Sequence, residues 1–273
     1  MHAGTYRRVA IMRMPDHGVD QAGGMPLKLL GSVRELDAGE LPGLYGYPAE
    51  LTRMWLRANF IASLDGGATV GGTTGRLGGP GDRAVFSMLR ELADVILVGA
   101  GTVRAEDYSG ARLTVAQRQG RQARGQSEVP QLAIVTKSGR LDRDMPVFTR
   151  TEVAPLVCTC AAVAEKTRHR LAGLAEVVEC SDGDPARVDE ASVLAALADR
   201  GLYRALTEGG PTLFSSFVER GMLDELCLTI APSLVGGQAG RIATGPGQVL
   251  TGMRCAHLLT DDDGYLYTRY IKA

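Results

Sequence analysis

Leu206–Leu213, LTEGGPTL, decides the reading of the fold, because it carries a strand straight into two glycines that open a helix. Tyr203–Leu206 is a short run suited to a buried parallel strand, and Pro211 suits the first turn of a helix over Thr212–Arg220. The N-terminus of that helix offers unpaired N–H groups, and Gly209 and Gly210 let a phosphate approach the backbone closely. A second turn of the same kind lies upstream, where the strand-like run DVILV (Asp94–Val98) leads into Gly99, Ala100, Gly101 and Thr102. Two such turns on one sheet point to a dinucleotide. Glu208, between strand and glycines, is suited either to accept hydrogen bonds from ribose hydroxyls or to cap the next helix.

Outward from these turns the chain alternates. Strands are expected at Trp55–Ile61, Asp94–Val98, Gln131–Thr136, Pro155–Thr159, Glu176–Glu179 and Tyr203–Thr207. Helices are expected at Asp82–Ala93, Thr102–Glu106, Ala162–Leu171, Asp189–Arg200 and Thr212–Arg220. That order predicts an α/β fold, a mostly parallel sheet flanked by helices. After Asp224 the pattern changes: Glu225–Ala231, His257–Thr260 and Tyr265–Ile271 are strands with no helix between them, and DDDG joins the last two as a C-terminal antiparallel hairpin. Residues 26–273 read as one domain, and residues 1–25, rich in Gly, Arg, His and Asp, are expected to be disordered.

The 273 residues are 45% apolar, and 30 Lys and Arg stand against 31 Asp and Glu, a net charge of −1. Such a balance offers no general attraction for nucleic acid or an acidic membrane and favours a small-molecule partner. The five cysteines are odd in number and scattered in apolar runs, as reduced core thiols of a cytoplasmic protein would be. The four histidines are isolated, so no metal site is expected. No apolar run is long enough for a membrane span or a secretory signal. Thr114–Val129 carries Arg118, Arg121 and Arg124 at a spacing of three; it reads as a solvated loop or frayed helix, with a phosphate or RNA clamp as the alternative.

Leu56–Val70, LRANFIASLDGGATV, is a strand that breaks at Asp65, Gly66 and Gly67 before a glycine-rich segment with the composition of a lid. Asn59, Ile61 and Ser63 share one face of it. An Asn in an apolar strand needs partners if buried, and either a substrate or water and backbone can supply them. Asp82 follows GGPG and opens a helix striped by Val85, Met88, Leu89 and Leu92. It suits a helix N-cap, and equally an acceptor for the N–H edge of a pyrimidine or pteridine.

ANFIASLDG, DVILVGAGTVRAEDY and LTEGGPTLFSSFVERGMLDELCLTIAPSLVGG, in that order, resemble the riboflavin-biosynthesis pyrimidine reductase family, whose reductase domain shares the dihydrofolate reductase-like fold. The resemblance runs from about Trp55 to the C-terminus. The residues ahead of it lack the His, Cys and Cys zinc pattern of the deaminase that precedes this domain in bifunctional members, so a stand-alone reductase is expected. The resemblance implies NADPH, held by Gly99, Gly101 and Thr102 and by Glu208, Gly209, Gly210, Pro211 and Thr212, with Ala62 and Thr74 near the nicotinamide and its phosphates. Thr136, Lys137, Ser138 and Arg140 supply donors and charge for a 2′-phosphate. Asn59, Ser63, Asp65 and Asp82 are the substrate-binding candidates, Asn59 and Asp82 the catalytic ones. It also implies a homodimer, for which the tyrosines of the C-terminal hairpin are a candidate contact.

Two departures bear on substrate. The family's lysine on the first strand is Asn59 here, and its DPxLTxR segment is blurred to EDYSGARLTV. Loss of a charge-assisted hydrogen bond costs roughly 1.5–3 kcal/mol, enough to alter substrate choice. The expected reaction is hydride transfer to a C=N bond of the ribosylaminopyrimidine of riboflavin biosynthesis, with dihydrofolate as the alternative substrate and a non-catalytic NADP-binding protein as the alternative from another class. A Rossmann dehydrogenase is disfavoured by the position of the GxG turn, the absence of a Tyr-x-x-x-Lys pair and the final hairpin.

Overall fold

Residues 95–98 are buried almost completely on both faces, which is what an apolar, β-branched strand between two layers of helices requires. The computed structural model describes residues 34–37 and 39–273 and the backbone of residues 9–12. In chain order the elements are β1 (Val9–Met12), β2 (Arg34–Glu35), α1 (Leu41–Leu44), β3 (Trp55–Ser63), α2 (Pro80–Leu92), β4 (Val95–Gly99), α3 (Ala100–Ala105), α4 (Val115–Ala123), β5 (Gln131–Thr136) and α5 (Pro146–Thr149). There follow β6 (Leu156–Thr159), α6 (Ala161–Arg170), β7 (Glu176–Glu179), α7 (Glu190–Ala198), β8 (Arg204–Thr207), α8 (Pro211–Glu219), β9 (Glu225–Ala231), β10 (Met253–Asp261) and β11 (Leu266–Lys272).

The strands form one sheet in the order β2-β1-β10-β11-β9-β3-β8-β4-β5-β6-β7. From β9 to β7 every pairing is parallel, and β11, β10, β1 and β2 extend the sheet antiparallel. The α/β reading and the closing hairpin hold. The disorder expected of residues 1–25 falls outside the described residues, except that Val9–Met12 forms a strand paired with β10. One core layer packs Leu56, Val95 and Leu97 against Phe214 and Phe217; the opposite layer packs Ile96, Val98 and Ile134 against Val147 and Leu171. A third cluster joins Val85, Met88, Leu89 and Leu92 of α2, the stripe at helical spacing, to Leu259 and Tyr267 of the hairpin.

Three local expectations are corrected. Helix α2 begins at Pro80 with Gly79 as its N-cap, so Asp82 lies in the first turn and is not the cap. The segment around Arg121 is a helix opened by a capping box of Thr114 and Gln117. Arg121 itself is fully buried and donates to the carbonyls of Glu91, Ala93 and Ser127, so it closes the C-terminal end of α2 where solvent was expected. Tyr265 and Tyr267 turn inward. The Tyr265 hydroxyl donates to Leu77 O at 2.9 Å while its ring stays half-buried, and Tyr267 is fully buried with its hydroxyl against Gly81, so Tyr267 packs the start of α2 and offers no contact surface. The glycines of GGPGD thus admit two aromatic rings.

A buried ion cluster sits where the parallel and antiparallel parts of the sheet join. Arg57 of β3 and Arg269 of β11 both bind Glu225 of β9, at 2.7 and 2.8 Å, and the Arg57 guanidinium lies 3.9 Å from the centre of the Tyr47 ring. None of this reaches the cleft described next.

Candidate active site

The two glycine turns meet. Strands β4 and β8 are neighbours, and the Gly99 N–H donates to the Gly209 carbonyl at 2.7 Å while the Glu208 N–H donates to Leu97 O at 3.0 Å. Gly209 has φ +96°, and a Cβ there would meet the Phe60 ring at 2.9 Å, so only glycine fits. A Cβ on Gly101, by contrast, would meet nothing within 4 Å: its open side faces a cleft. Helix α8 has Gly210 as its N-cap, without a side-chain cap, and Pro211 at its first position, leaving the Thr212 and Leu213 end of the helix to a ligand.

The cleft has a volume of about 1410 Å³, above the roughly 300–1,000 Å³ of a site for one small molecule, so it has room for a cofactor and a substrate together. It runs along the carboxyl ends of β3, β8, β4 and β5, the edge at which α/β sheets bind ligands. Of the residues predicted for the site, Asn59, Thr74, Asp82, Gly99, Gly101, Thr102, Thr136, Ser138, Glu208, Gly210, Pro211 and Thr212 line it. Ala62, Ser63, Asp65, Gly209 and Arg140 do not.

Ser63 and Asp65 have a different task. The Ser63 hydroxyl donates to Asp65 at 2.5 Å, and the Asp65 carboxylate accepts the N–H groups of Val235 and Gly236. Those hydrogen bonds, the hydroxyl's first, hold the Asp65 carboxyl down at about 2. The strap 232–252 is pinned again where Ala68 N–H donates to Gly240 O and Thr244 N–H to Pro211 O. Asp65 therefore fastens the strap, whose Gly240, Arg241 and Ile242 line the cleft, and does not itself line it.

Glu208 neither caps α8 nor stands free. Arg90 of α2 grips both of its oxygens, at 2.7 and 2.6 Å, and the Tyr108 hydroxyl donates to the same carboxylate. The Arg90 guanidinium also donates to the Tyr108 oxygen and lies 4.2 Å from the centre of the Phe86 ring. Burial, then the Glu208 charge, pushes the Tyr108 hydroxyl far above its ordinary pKa, so Tyr108 remains a donor. Sequence reading missed Arg90 and Tyr108. The signals were faint: an arginine four residues after Phe86 on a helix, and a tyrosine in the blurred segment after the GxGT turn.

Asp82 lines the cleft half-buried, and burial raises its carboxyl pKa while a hydrogen bond from Thr229 of β9 pulls the other way. No cation pairs with it among the described residues, unlike Glu208, Asp107 and Glu190, which are bound by Arg90, Arg150 and Arg220. Asn59 also lines the cleft, and its amide has no hydrogen-bond partner among the described residues. A planar ring with an N–H edge would complement both. Thr74 donates to Glu106 through backbone and hydroxyl. Thr136 is buried, and its hydroxyl accepts the Gly139 N–H, which turns Lys137 and Ser138 toward the cleft.

A mostly parallel sheet whose strands end at one large cleft and whose last strands close antiparallel is the architecture of a dihydrofolate reductase-like enzyme. The RibD C-terminal domain model matches residues 54–267. The chain is 30% identical over 190 residues to the 2,5-diamino-6-ribosylamino-4(3H)-pyrimidinone 5′-phosphate reductase of Archaeoglobus fulgidus, covering 68% of this chain and 84% of that protein. The reductase of the same name from Methanothermobacter thermautotrophicus is 30% identical over 189 residues, 69% of this chain and 82% of that one. The crystal structure of a pyrimidine reductase-like protein from Corynebacterium diphtheriae superposes with a TM-score of 0.71 at 28% identity, over 81% of this chain and 92% of that one. The chain belongs to the RibD C-terminal domain family and is an oxidoreductase. Among the described residues no helix is long and apolar enough to cross a membrane.

Proposed function

We propose that the protein reduces the ribosylaminopyrimidine phosphate of riboflavin biosynthesis with NADPH. The observation that carries this reading is the meeting of the two glycine turns, Gly99 N–H to Gly209 O, beneath a cleft that also presents Asp82 and Asn59. The open side of Gly101 and the uncapped start of α8 fit a dinucleotide phosphate, and the relatives named as pyrimidine reductases support the substrate class. NADPH supplies the hydride. A C=N bond takes that hydride at carbon and a proton at nitrogen, so the chain's own task is to hold the acceptor ring flat and to furnish or relay one proton.

Asp82 is the group for that proton. Burial raises its pKa and so favours the protonated, proton-donating form over that of an ordinary carboxyl, while the Thr229 hydrogen bond opposes this. Asn59 presents a donor and an acceptor to the same ring, and Arg90 and Tyr108 keep Glu208 rigid in the cleft wall. The strap pinned by Asp65 contributes Gly240, Arg241 and Ile242 to the cleft wall.

A second reading, dihydrofolate as acceptor, draws on one observation: Asp82, with Thr229 donating to it and no cation paired with it among the described residues, offers its carboxyl to a pteridine edge. The test is NADPH oxidation followed at 340 nm with each substrate in turn. Turnover of the pyrimidine supports the first reading, turnover of dihydrofolate alone the second, and none with either refutes both.

A further inference from the structure

We propose that Arg187, on the loop between β7 and α7, is the second arm of a phosphate clamp whose first arm is Lys137, and that the pair selects a dinucleotide carrying a 2′-phosphate. The inference rests on the nicotinamide-dependent reading above. Both side chains line the cleft, and neither has an ion pair or side-chain hydrogen bond among the described residues. Of the other cations that line the cleft, Arg90 is committed to Glu208, Arg104 to the Arg140 carbonyl at 3.1 Å and Arg83 to the Gly78 carbonyl at 3.5 Å, while Arg241 stands on the strap 232–252 and not on this backbone.

The backbone ties the two arms to one place. Thr136 of β5 pairs with Thr159 of β6, and the Cys160 thiol, at the start of α6, donates to the Lys137 carbonyl. The next two residues of α6 hold the Arg187 loop: Ala161 N–H donates to the Ser181 hydroxyl oxygen at 2.9 Å, and Ala162 N–H to Pro185 O at 2.8 Å. The Ser181 hydroxyl in turn donates to the Arg187 carbonyl at 2.8 Å. Lys137 and Arg187 thus stand on adjoining, hydrogen-bonded backbone at one end of the cleft, beyond the C-terminal ends of β5 and β6. Asp82 and Asn59 lie on α2 and β3, on the far side of β8 and β4. The carboxylates nearest along the loop are occupied, Asp189 by Arg220 and by the Ser192 N–H and hydroxyl, Asp184 by Ala186 N–H. Two uncommitted cations on this linked backbone, with the Ser138 hydroxyl next in sequence to Lys137 and also lining the cleft, and with no carboxylate paired to either, match a phosphate monoester dianion. The cofactor's 2′-phosphate is the source we assign, because the substrate's phosphate belongs with the ring at the Asp82 end.

Calorimetric titration of the wild-type protein and of Arg187→Ala with 2′,5′-ADP, 5′-AMP and ribose 5-phosphate tests the assignment without turnover. The expected result is tighter wild-type binding of 2′,5′-ADP than of 5′-AMP, and a loss of about ten- to a hundredfold in 2′,5′-ADP affinity in Arg187→Ala, with 5′-AMP changed less than twofold. Arg187→Lys should recover part of that loss. An unchanged 2′,5′-ADP affinity in Arg187→Ala overturns the clamp, as does a loss confined to ribose 5-phosphate. If the wild-type protein binds the two adenosine nucleotides equally, the clamp fails while nicotinamide use stands; if it also fails to bind NADPH and NADH, the functional reading fails with it.

Discussion

The two ends of the cleft treat charge differently. Around Glu208 the carboxylate is held by both arms of one guanidinium and by a phenol, and all three groups are withdrawn from water; around Lys137 and Arg187 the cations have no protein partner. The first arrangement sets the shape of a wall, because charges neutralised in place cost nothing further when a ligand arrives. The second leaves electrostatic attraction available to a ligand. Asp82 belongs to the wall by position but is uncommitted like the distal cations, which is why it draws the catalytic assignment.

The largest effect expected from breaking this contrast is on rate. Asp82→Asn keeps the shape of the side chain and removes its acid, so kcat/KM should fall by about 10²–10⁴ while stability is kept. A rate within threefold of wild type would reduce Asp82 to a helix residue of no chemical consequence. Next comes Arg90→Ala, which leaves Glu208 buried without its cation and should cost about 3–5 kcal/mol in urea unfolding. Arg187→Ala, at the open end, should change the same measurement by no more than about 0.5 kcal/mol. Equal losses would erase the distinction between the two ends.

Much of this was legible in the sequence, and what was not has a physical reason. Both glycine turns, the alternation of strands and helices and the final hairpin are local patterns, and they were readable because a buried strand must be apolar and because glycine admits close approach of backbone or ligand, at Gly209 with a positive φ besides. The partners of Glu208 were hidden because Arg90 and Tyr108 lie 118 and 100 positions away, and nothing local says which arginine of a helix turns toward a strand end. Ser63 and Asp65 misled for the opposite reason. Strict alternation put Ser63 on the face of Asn59, but the chain turns at Gly66, and the Asp65 carboxylate finds the N–H groups of the strap first. Arg121 looked solvated because its spacing with Arg118 and Arg124 is that of an exposed helix face; it is buried because three carbonyls converge on it.

Smaller effects sharpen the picture. Gly209→Ala should cost about 1–3 kcal/mol, since the new methyl meets both a left-handed backbone and the Phe60 ring; a neutral substitution would show that the turn is looser than drawn. His257, away from the cleft, is buried beside Tyr45, and burial, then Arg269, lowers its pKa to about 4. Between that value and the ordinary 6.5 the unfolded chain binds the proton that the folded chain refuses. Stability should therefore rise as the pH rises through this window and be lost as the pH falls, by at most about 1.4 kcal/mol per pH unit, and His257→Gln should flatten the slope. A slope unchanged in the variant would assign it to other groups.

The most direct test of hydride transfer in this cleft is isotopic. The protein is given NADPH deuterated at the transferring position of the nicotinamide together with the ribosylaminopyrimidine phosphate, and the product is analysed by mass spectrometry. One deuterium fixed at the carbon of the former C=N bond is the predicted result; reduced pyrimidine without that label would contradict the account.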